Sequence, residues 1–235
     1  MEIIKDCGLI LKIHEHGSTS QVVTVLSKEH GIISGYHKGG SSAKKKSICL
    51  CANLVDFTWK ARVLGQLGNF DPEMSQNFSS VFLDVYHSAI VNTTCEILLV
   101  CLQKNDSHTE IFTLTLEFFQ NLKTIEQKSI ILQEYTLFET KLMSFLGFGY
   151  NFAKCNISGN GIPEFISPKT GNAVSSETAK GFEEKLFTIP KFILNQEITP
   201  EIHEIKKMLN INWHFLKLHI ELHSLPVREF TVGLF

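Results

Sequence analysis

The apolar residues of this chain change their period once, at Asp71-Pro72, and that switch limits the fold more than any other feature. Before it, hydrophobic side chains alternate with polar ones in short runs; after it, they recur at i, i+3, i+4 and i+7. A strand-patterned half followed by a helix-patterned half makes an α+β protein with segregated elements. The chain has 235 residues, enough for one large domain or two modest ones. We divide it into 1–77, a β domain, and 78–235, a helical domain.

Five short runs make up the first part. Leu9, Leu11 and Ile13 alternate, Val22 to Leu26 is β-branched, and Ile32 to Tyr36 resumes after Lys28-Glu29-His30-Gly31, a hairpin connection whose glycine can take positive φ. Leu50 to Ala61 places Val55, Phe57 and Trp59 on one face, and Val63 to Phe70 forms the fifth run. Five strands in about seventy residues fit a small closed barrel, for which the OB-fold is the common solution.

In the second part Phe78, Val81, Phe82, Val85 and Tyr86 fall at helical spacing, as do Ile111, Leu114, Phe118 and Leu122, and a long helix spans Ile125 to Leu146. Gly147 supplies its C′ position. Residues 151–176 are rich in Gly, Asn, Ser and Pro and form an irregular insertion. A last helical stretch starts at Thr199-Pro200-Glu201, with Thr as cap and Pro at N1, and runs to about His223 with a break near Asn210-Ile211-Asn212.

The composition is that of an ordinary globular protein, with 22 Lys+Arg against 24 Asp+Glu and 43% hydrophobic residues. The longest mostly apolar run, Ile97 to Leu102, is far short of the roughly 20 residues of a membrane span. No secretory leader pattern opens the sequence, so a cytoplasmic location, reduced cysteines and no disulfides are expected. Enzyme signatures are absent. Lys38-Gly39-Gly40-Ser41-Ser42-Ala43-Lys44 lacks the second glycine of a phosphate cradle, Gly147-Phe148-Gly149 lacks the third of a dinucleotide fingerprint, and there is no nucleophile elbow. His219-Ile220-Glu221-Leu222-His223 has its glutamate in the wrong place for a zinc hydrolase. The pairs His14/His16 and Cys49/Cys51 read as a surface pair and as small buried thiols.

One segment stands out by charge. Between Lys28 and Arg62 seven basic residues meet only Glu29 and Asp56. Lys38, Lys44, Lys45 and Lys46 lie among Gly and Ser, and Lys60 and Arg62 extend the patch at the end of the fourth strand. Such a loop can track a phosphate backbone and release counterions on binding, and OB barrels often offer a basic groove with aromatic platforms to single strands. Tyr36, Trp59 and Phe70 are candidate platforms, although Trp59 shares its face with core residues.

With these residues in view, the sequence resembles the RecO family of DNA repair proteins. The resemblance runs from Gly8-Leu9-Ile10-Leu11 to Phe70, through Glu29-His30-Gly31 and the lysine loop. It resumes at Phe138-Glu139-Thr140-Lys141-Leu142 and Phe145-Leu146-Gly147-Phe148. It implies an OB-fold followed by a helical domain, binding of single- and double-stranded DNA and annealing of complementary strands. It also implies cooperation with RecR and the single-stranded DNA-binding protein in loading RecA recombinase, with RecF and RecA engaged indirectly. The C-terminal tail of the single-stranded DNA-binding protein, acidic and Phe-terminated, would need a hydrophobic pocket rimmed by lysines; Lys141, Lys206, Lys207 and Lys217 are candidates. Many family members hold zinc with two C-x-x-C pairs in the insertion. Here Ser158 follows Cys155 at that spacing and Val174 to Thr178 has no cysteine, so we expect a degenerate zinc-finger-like module without metal, no cofactor and no catalytic group. Two other readings stand beside this one: an RNA-binding OB protein of translation or RNA processing, and a metal hydrolase using His214, His219 and His223.

Overall fold

The computed structural model describes residues 1–40, 42, 46–82, 84–150, 152, 161–195, 197–220 and 224–235. Its strands are β1 (Glu2–His16), β2 (Ser20–Ser27), β3 (Gly31–His37), β4 (Leu54–Ala61) and β5 (Gly68–Gln76), closed into a barrel in the order β1-β2-β3-β5-β4. This is the expected five-stranded barrel. The long β1 pairs with β2 through its second half and with β4 through its first, which lets one strand close both edges.

The barrel interior holds Ile4, Ile10, Val23, Val25, Ile33, Cys49, Val55, Phe57, Trp59 and Phe70. The alternation of Leu9, Leu11 and Ile13 does not survive as one face. The register of β1 against β2 slips between Ile10 and Lys12, so Ile10 lies inside, Ile13 packs against the same cluster, and the extra residue, Leu11, marks a β-bulge. Leu9 and Leu11 are nonetheless buried, in a strand that α1 (Val85–Cys101) contacts.

Two strand boundaries differ from expectation. The fourth strand begins at Leu54, not Leu50: residues 48–53 form a turn in which Ala52 has φ 67°, so Cys49 and Cys51 do not share a strand face. The fifth strand begins at Gly68 and runs through Pro72. β3 pairs with β5 only at Gly35–Gly68 and Tyr36–Asn69; beyond them β5 has a partner on one side only, the setting in which a strand tolerates proline.

The helices are α1, α2 (Thr109–Leu122), α3 (Lys128–Phe145), α4 (Ser176–Ala179), α5 (Lys191–Leu194), α6 (Ile202–Ile220) and α7 (Pro226–Leu234). The helical spacing from Phe78 to Tyr86 is not one helix. A 3-10 turn covers Ser79–Phe82, and α1 starts anew where the Asp84 carboxylate accepts the Tyr86 and His87 N–H groups at 2.8 and 3.0 Å. α3 ends as expected at Gly147, φ +85°, in a Schellman motif: Phe148 N–H donates to Met143 O and Gly147 N–H to Ser144 O. α6 is capped by Glu201, two residues later than expected, because the Glu201 N–H bonds back to the Glu204 carboxylate while its carbonyl accepts from Glu204 and Ile205. Nor does α6 break near Asn212. That side chain is buried and satisfied, donating to Thr140 Oγ1 and accepting from Tyr150 Oη, both at 3.1 Å. α7 was not expected; its first N–H groups, of Val227 and Arg228, are taken by the Glu96 carboxylate of α1.

Contacts divide the chain into two compact units, Met1–Glu126 with Leu225–Leu234, and Gln127–Ser224 with Phe235. The barrel thus shares its unit with α1, α2 and α7. The second unit carries, besides α3 and α6, a three-stranded sheet of β6 (Pro163–Ile166), β7 (Ala173–Ser175) and β8 (Phe187–Thr188) in the order β7-β6-β8. Part of the stretch read as irregular is therefore sheet, in strands too short for periodicity to reveal. Ile166, Ala173 and Val174 are buried in it. Phe187 meets Phe215 and His214 edge-on, and the His214 ring nitrogen lies 2.9 Å from the Pro168 carbonyl. Cys155 and Ser158 lie outside the described residues. Among the described residues no helix is long and apolar enough to cross a membrane.

Candidate nucleic-acid interface

Register places the basic residues. Ile3 lies opposite Lys60, Lys60 opposite Asn69, and Asn69 opposite Tyr36. These four positions alternate with the inward Ile4, Trp59 and Phe70, so they form one outward row across β1, β4, β5 and β3. The row presents an aliphatic group, an ammonium, an amide and a phenol. Tyr36 is half-buried, with the His16 ring edge-on at 4.8 Å. Lys38 is exposed just beyond β3, two residues past Tyr36 and two strands from Lys60. Strand spacing and rise put the two backbones roughly 12 Å apart. Arg62 is exposed in the β4–β5 loop, and Lys46 is exposed with its ammonium 3.7 Å from the Glu15 carboxylate. A pair so open to water contributes little, and Lys46 stays available to an anion. Lys44 and Lys45 lie outside the described residues.

Of the aromatic candidates only Tyr36 faces outward. Trp59 and Phe70 belong to the barrel interior, Trp59 with 2% of its surface exposed and Phe70 stacked on Phe57 at 5.0 Å. The alternation that put Val55 and Phe57 inside identifies Trp59 as core; Phe70 was missed because its strand was placed too early.

Charge changes sign along the barrel. One outward row further on, Thr58 lies opposite Asp71, and beyond it Asp56 lies opposite Glu73. With Lys5, Asp6, Lys28 and Glu29 these acids line an open cavity of about 470 Å³. Asp6 is the structural member of that group. Its carboxylate accepts from Ser27 Oγ, from the Glu29 N–H at 2.9 Å, from the Cys7 N–H at 2.8 Å, and meets the His30 ring at 3.1 Å. Burial raises its pKa, but these hydrogen bonds outweigh burial and hold it below the ordinary carboxylate value. The acids Asp56, Asp71 and Glu73 thus lie along the strands away from the Lys60–Arg62 edge.

The second unit has an apolar cavity of about 410 Å³ lined by Pro168, Val174, Ala179, Phe182 and Leu186, with Lys169 and Lys185 at its wall. Lys141, Lys206, Lys207 and Lys217, the candidates from sequence, do not line it.

His14 and His16 are exposed on β1. His219 stacks on Phe148 with ring centres 4.4 Å apart, and His214 is held as described above. His223 lies outside the described residues. Among the described residues no three His, Cys, Asp or Glu side chains converge in a way that could hold a metal ion.

A closed barrel of this strand order, with helices after it, defines an OB-fold protein with a helical C-terminal part. Comparison with known proteins narrows the class. Residues 1–78 match the family described as recombination protein O, N terminal, and residues 83–229 match recombination protein O, C terminal. The DNA repair protein RecO of Orientia tsutsugamushi (strain Ikeda) is 29% identical over 221 residues, 92% of this chain and 90% of its own length. That of Cereibacter sphaeroides (strain ATCC 17023) is 30% identical over 223 residues, 90% of this chain and 87% of its own, and that of Rickettsia bellii (strain OSU 85-389) is 28% identical over 219. The chain belongs to the recombination protein O family, a family of DNA repair and recombination proteins.

Proposed function

We propose that this protein is a recombination mediator that binds single- and double-stranded DNA on the cationic face of its barrel, anneals complementary strands, and helps load RecA together with RecR. The observation that carries this reading is Lys60 on the outward row Ile3–Lys60–Asn69–Tyr36, with Arg62 and Lys38 exposed beyond it, while the next outward positions of β4 and β5 carry Asp71, Asp56 and Glu73. Two complementary strands repel each other. Ammonium and guanidinium groups that neutralise both lower that barrier, and because the contacts are mostly to phosphate, sequence preference is weak. The mechanism requires no covalent step. Lys44, Lys45 and Lys46 are proposed to extend the same surface, and action in the cytoplasm follows from the role.

The acidic, Phe-terminated tail of the single-stranded DNA-binding protein is the proposed partner of the second unit. The apolar cavity beside Lys169 and Lys185 supports this, offering a seat for an aromatic ring next to two cations. Contacts with RecF and RecA are indirect in this scheme.

The deciding experiment is annealing of complementary oligonucleotides coated with single-stranded DNA-binding protein, with and without this chain. Acceleration that is lost when Lys44, Lys45 and Lys46 are all replaced by Ala supports the reading. Equal rates with and without the chain sink it. Tighter binding to RNA than to DNA of the same length would favour the RNA-binding alternative.

A further inference from the structure

The turn that follows the lysine loop brings a cysteine of the barrel against a cysteine of the first long helix. Cys51 stands in the 48–53 turn beside Ala52, whose backbone is left-handed and whose N–H donates to the Ile10 carbonyl of β1 at 2.8 Å. Cys95 stands in the interior of α1, 4% exposed. Both lie in the same compact unit, both are thiols, and their side chains are hydrogen-bonded to each other. Cys51 is half-buried, and its Sγ also donates to the Leu11 carbonyl at 3.6 Å.

The two thiols are chemically unequal. The hydrogen bond from Cys95 favours the Cys51 thiolate and outweighs burial, so the Cys51 pKa lies below the ordinary thiol value. The same contact, together with burial, pushes Cys95 well up. A partly exposed sulfur biased towards thiolate, with a protonated second thiol in contact, is the arrangement of an attacking and a resolving cysteine. Cys7 offers the contrast within the same chain: it is also partly exposed, but burial and Asp6 push its thiol up.

We propose that Cys51 and Cys95 are a peroxide-responsive pair whose oxidation staples the barrel to α1. The Cys51 thiolate attacks one oxygen of a hydroperoxide, the O–O bond breaks, and the departing oxide takes up the proton that Cys51 released. Cys51 is left as a sulfenic acid. The Cys95 sulfur then attacks the Cys51 sulfur, the S–S bond forms, the S–O bond breaks, and hydroxide leaves as water with the Cys95 proton. Two electrons pass from the sulfurs to the peroxide, and hydrogen peroxide yields two waters. The new bond closes a loop from 51 to 95 that contains β4, β5 and the first part of α1, which restricts the unfolded chain. It also fixes the turn at the foot of the lysine loop, where the Asn53 amide already holds the Ser47 and Ile48 carbonyls at 3.2 and 3.1 Å.

The test exposes the full chain to a small excess of hydrogen peroxide, alkylates the remaining thiols and maps the cysteine peptides by mass spectrometry. A Cys51–Cys95 disulfide is expected, with Cys51 consumed roughly tenfold faster than Cys7. The linked protein should melt roughly 5–10 °C higher and return to its starting value with dithiothreitol. With dimedone present, Cys95→Ala should collect the sulfenic acid adduct at Cys51, whereas Cys51→Ser should show no melting shift on oxidation. Mapping in the wild-type chain keeps the test decisive if Cys95→Ala folds poorly.

Cys51 oxidised no faster than Cys7, or joined to any cysteine other than Cys95, would overturn the inference. So would a dimedone adduct on Cys95 in place of Cys51, or a linked protein whose melting temperature is unchanged.

Discussion

Trp59 Nε1 donates a hydrogen bond to the Ser34 carbonyl at 3.0 Å, fixing the largest barrel aromatic beneath the contact of β3 with β5. The fit depends on glycine. A β-carbon on Gly68 would lie 2.5 Å from the Trp59 indole, and one on Gly35 would lie 3.0 Å from it. Trp59 therefore closes the barrel and does not stack on DNA. Trp59→Phe is expected to destabilise by about 1–3 kcal/mol, since it removes volume and strands a buried carbonyl, with DNA affinity of the folded variant unchanged. Denaturant melts beside fluorescence anisotropy check both halves; a stable variant that no longer binds DNA would return Trp59 to the interface.

Lys60 and Arg62 are expected to contact phosphate. Replacing both with Ala should reduce the slope of log affinity against log salt by about 1.4 on single strands, at roughly 0.7 per lost contact. Titrations at several salt concentrations read this directly, and an unaltered slope would show that neither residue meets the backbone.

Asp6 ties the β2–β3 turn to β1, and its carboxyl titrates below the ordinary value because the hydrogen bonds it accepts outweigh the effect of burial. The sign follows: a depressed folded-state pKa contributes stability that is present above the unfolded value, about 3.9, and is lost as pH falls through the folded one. Asp6→Asn should destabilise the first unit at neutral pH by about 1–3 kcal/mol and flatten its acid unfolding profile. Melting temperature against pH for the two proteins makes the comparison; parallel curves would contradict it.

Asn212 joins α6 to α3 through Thr140 and to Tyr150. Asn212→Ala leaves both partners buried without their bond and should cost about 1–3 kcal/mol. Tyr150→Phe, which removes one hydroxyl, should cost less. Hydrogen exchange is expected to report the loss in α3 and α6 while barrel amides keep their protection; loss of barrel protection would instead show that the two units unfold together.

Much of this fold can be read from local pattern. Five strands, the β2–β3 turn, the inward face of Val55, Phe57 and Trp59, and the glycine stop of α3 all depend on residues within a few positions of each other, where side-chain alternation and φ preference act directly. The cationic segment was equally visible, because charge needs no partner to be counted. What escaped were features set by distant partners. Leu11 looks like part of an alternating face until β2 shows the bulge, and Pro72 looks like a strand end until the short β3–β5 pairing shows its free side. Asn212 looks like a helix break until Thr140 and Tyr150 satisfy it, and α7 gains its cap from Glu96, some 130 residues earlier.

The same division holds for the site. Sequence alone determined that the chain pairs a strand half with a helical half and concentrates lysine near the third and fourth strands, since period and charge are properties of the residues in order. Only the tertiary structure decided that Lys60 shares its outward row with Ile3, Asn69 and Tyr36, that Trp59 and Phe70 turn inward, and that Asp71, Asp56 and Glu73 occupy the next outward positions of β4 and β5. Strand register makes those choices, and it is fixed by hydrogen bonds between segments far apart in the chain.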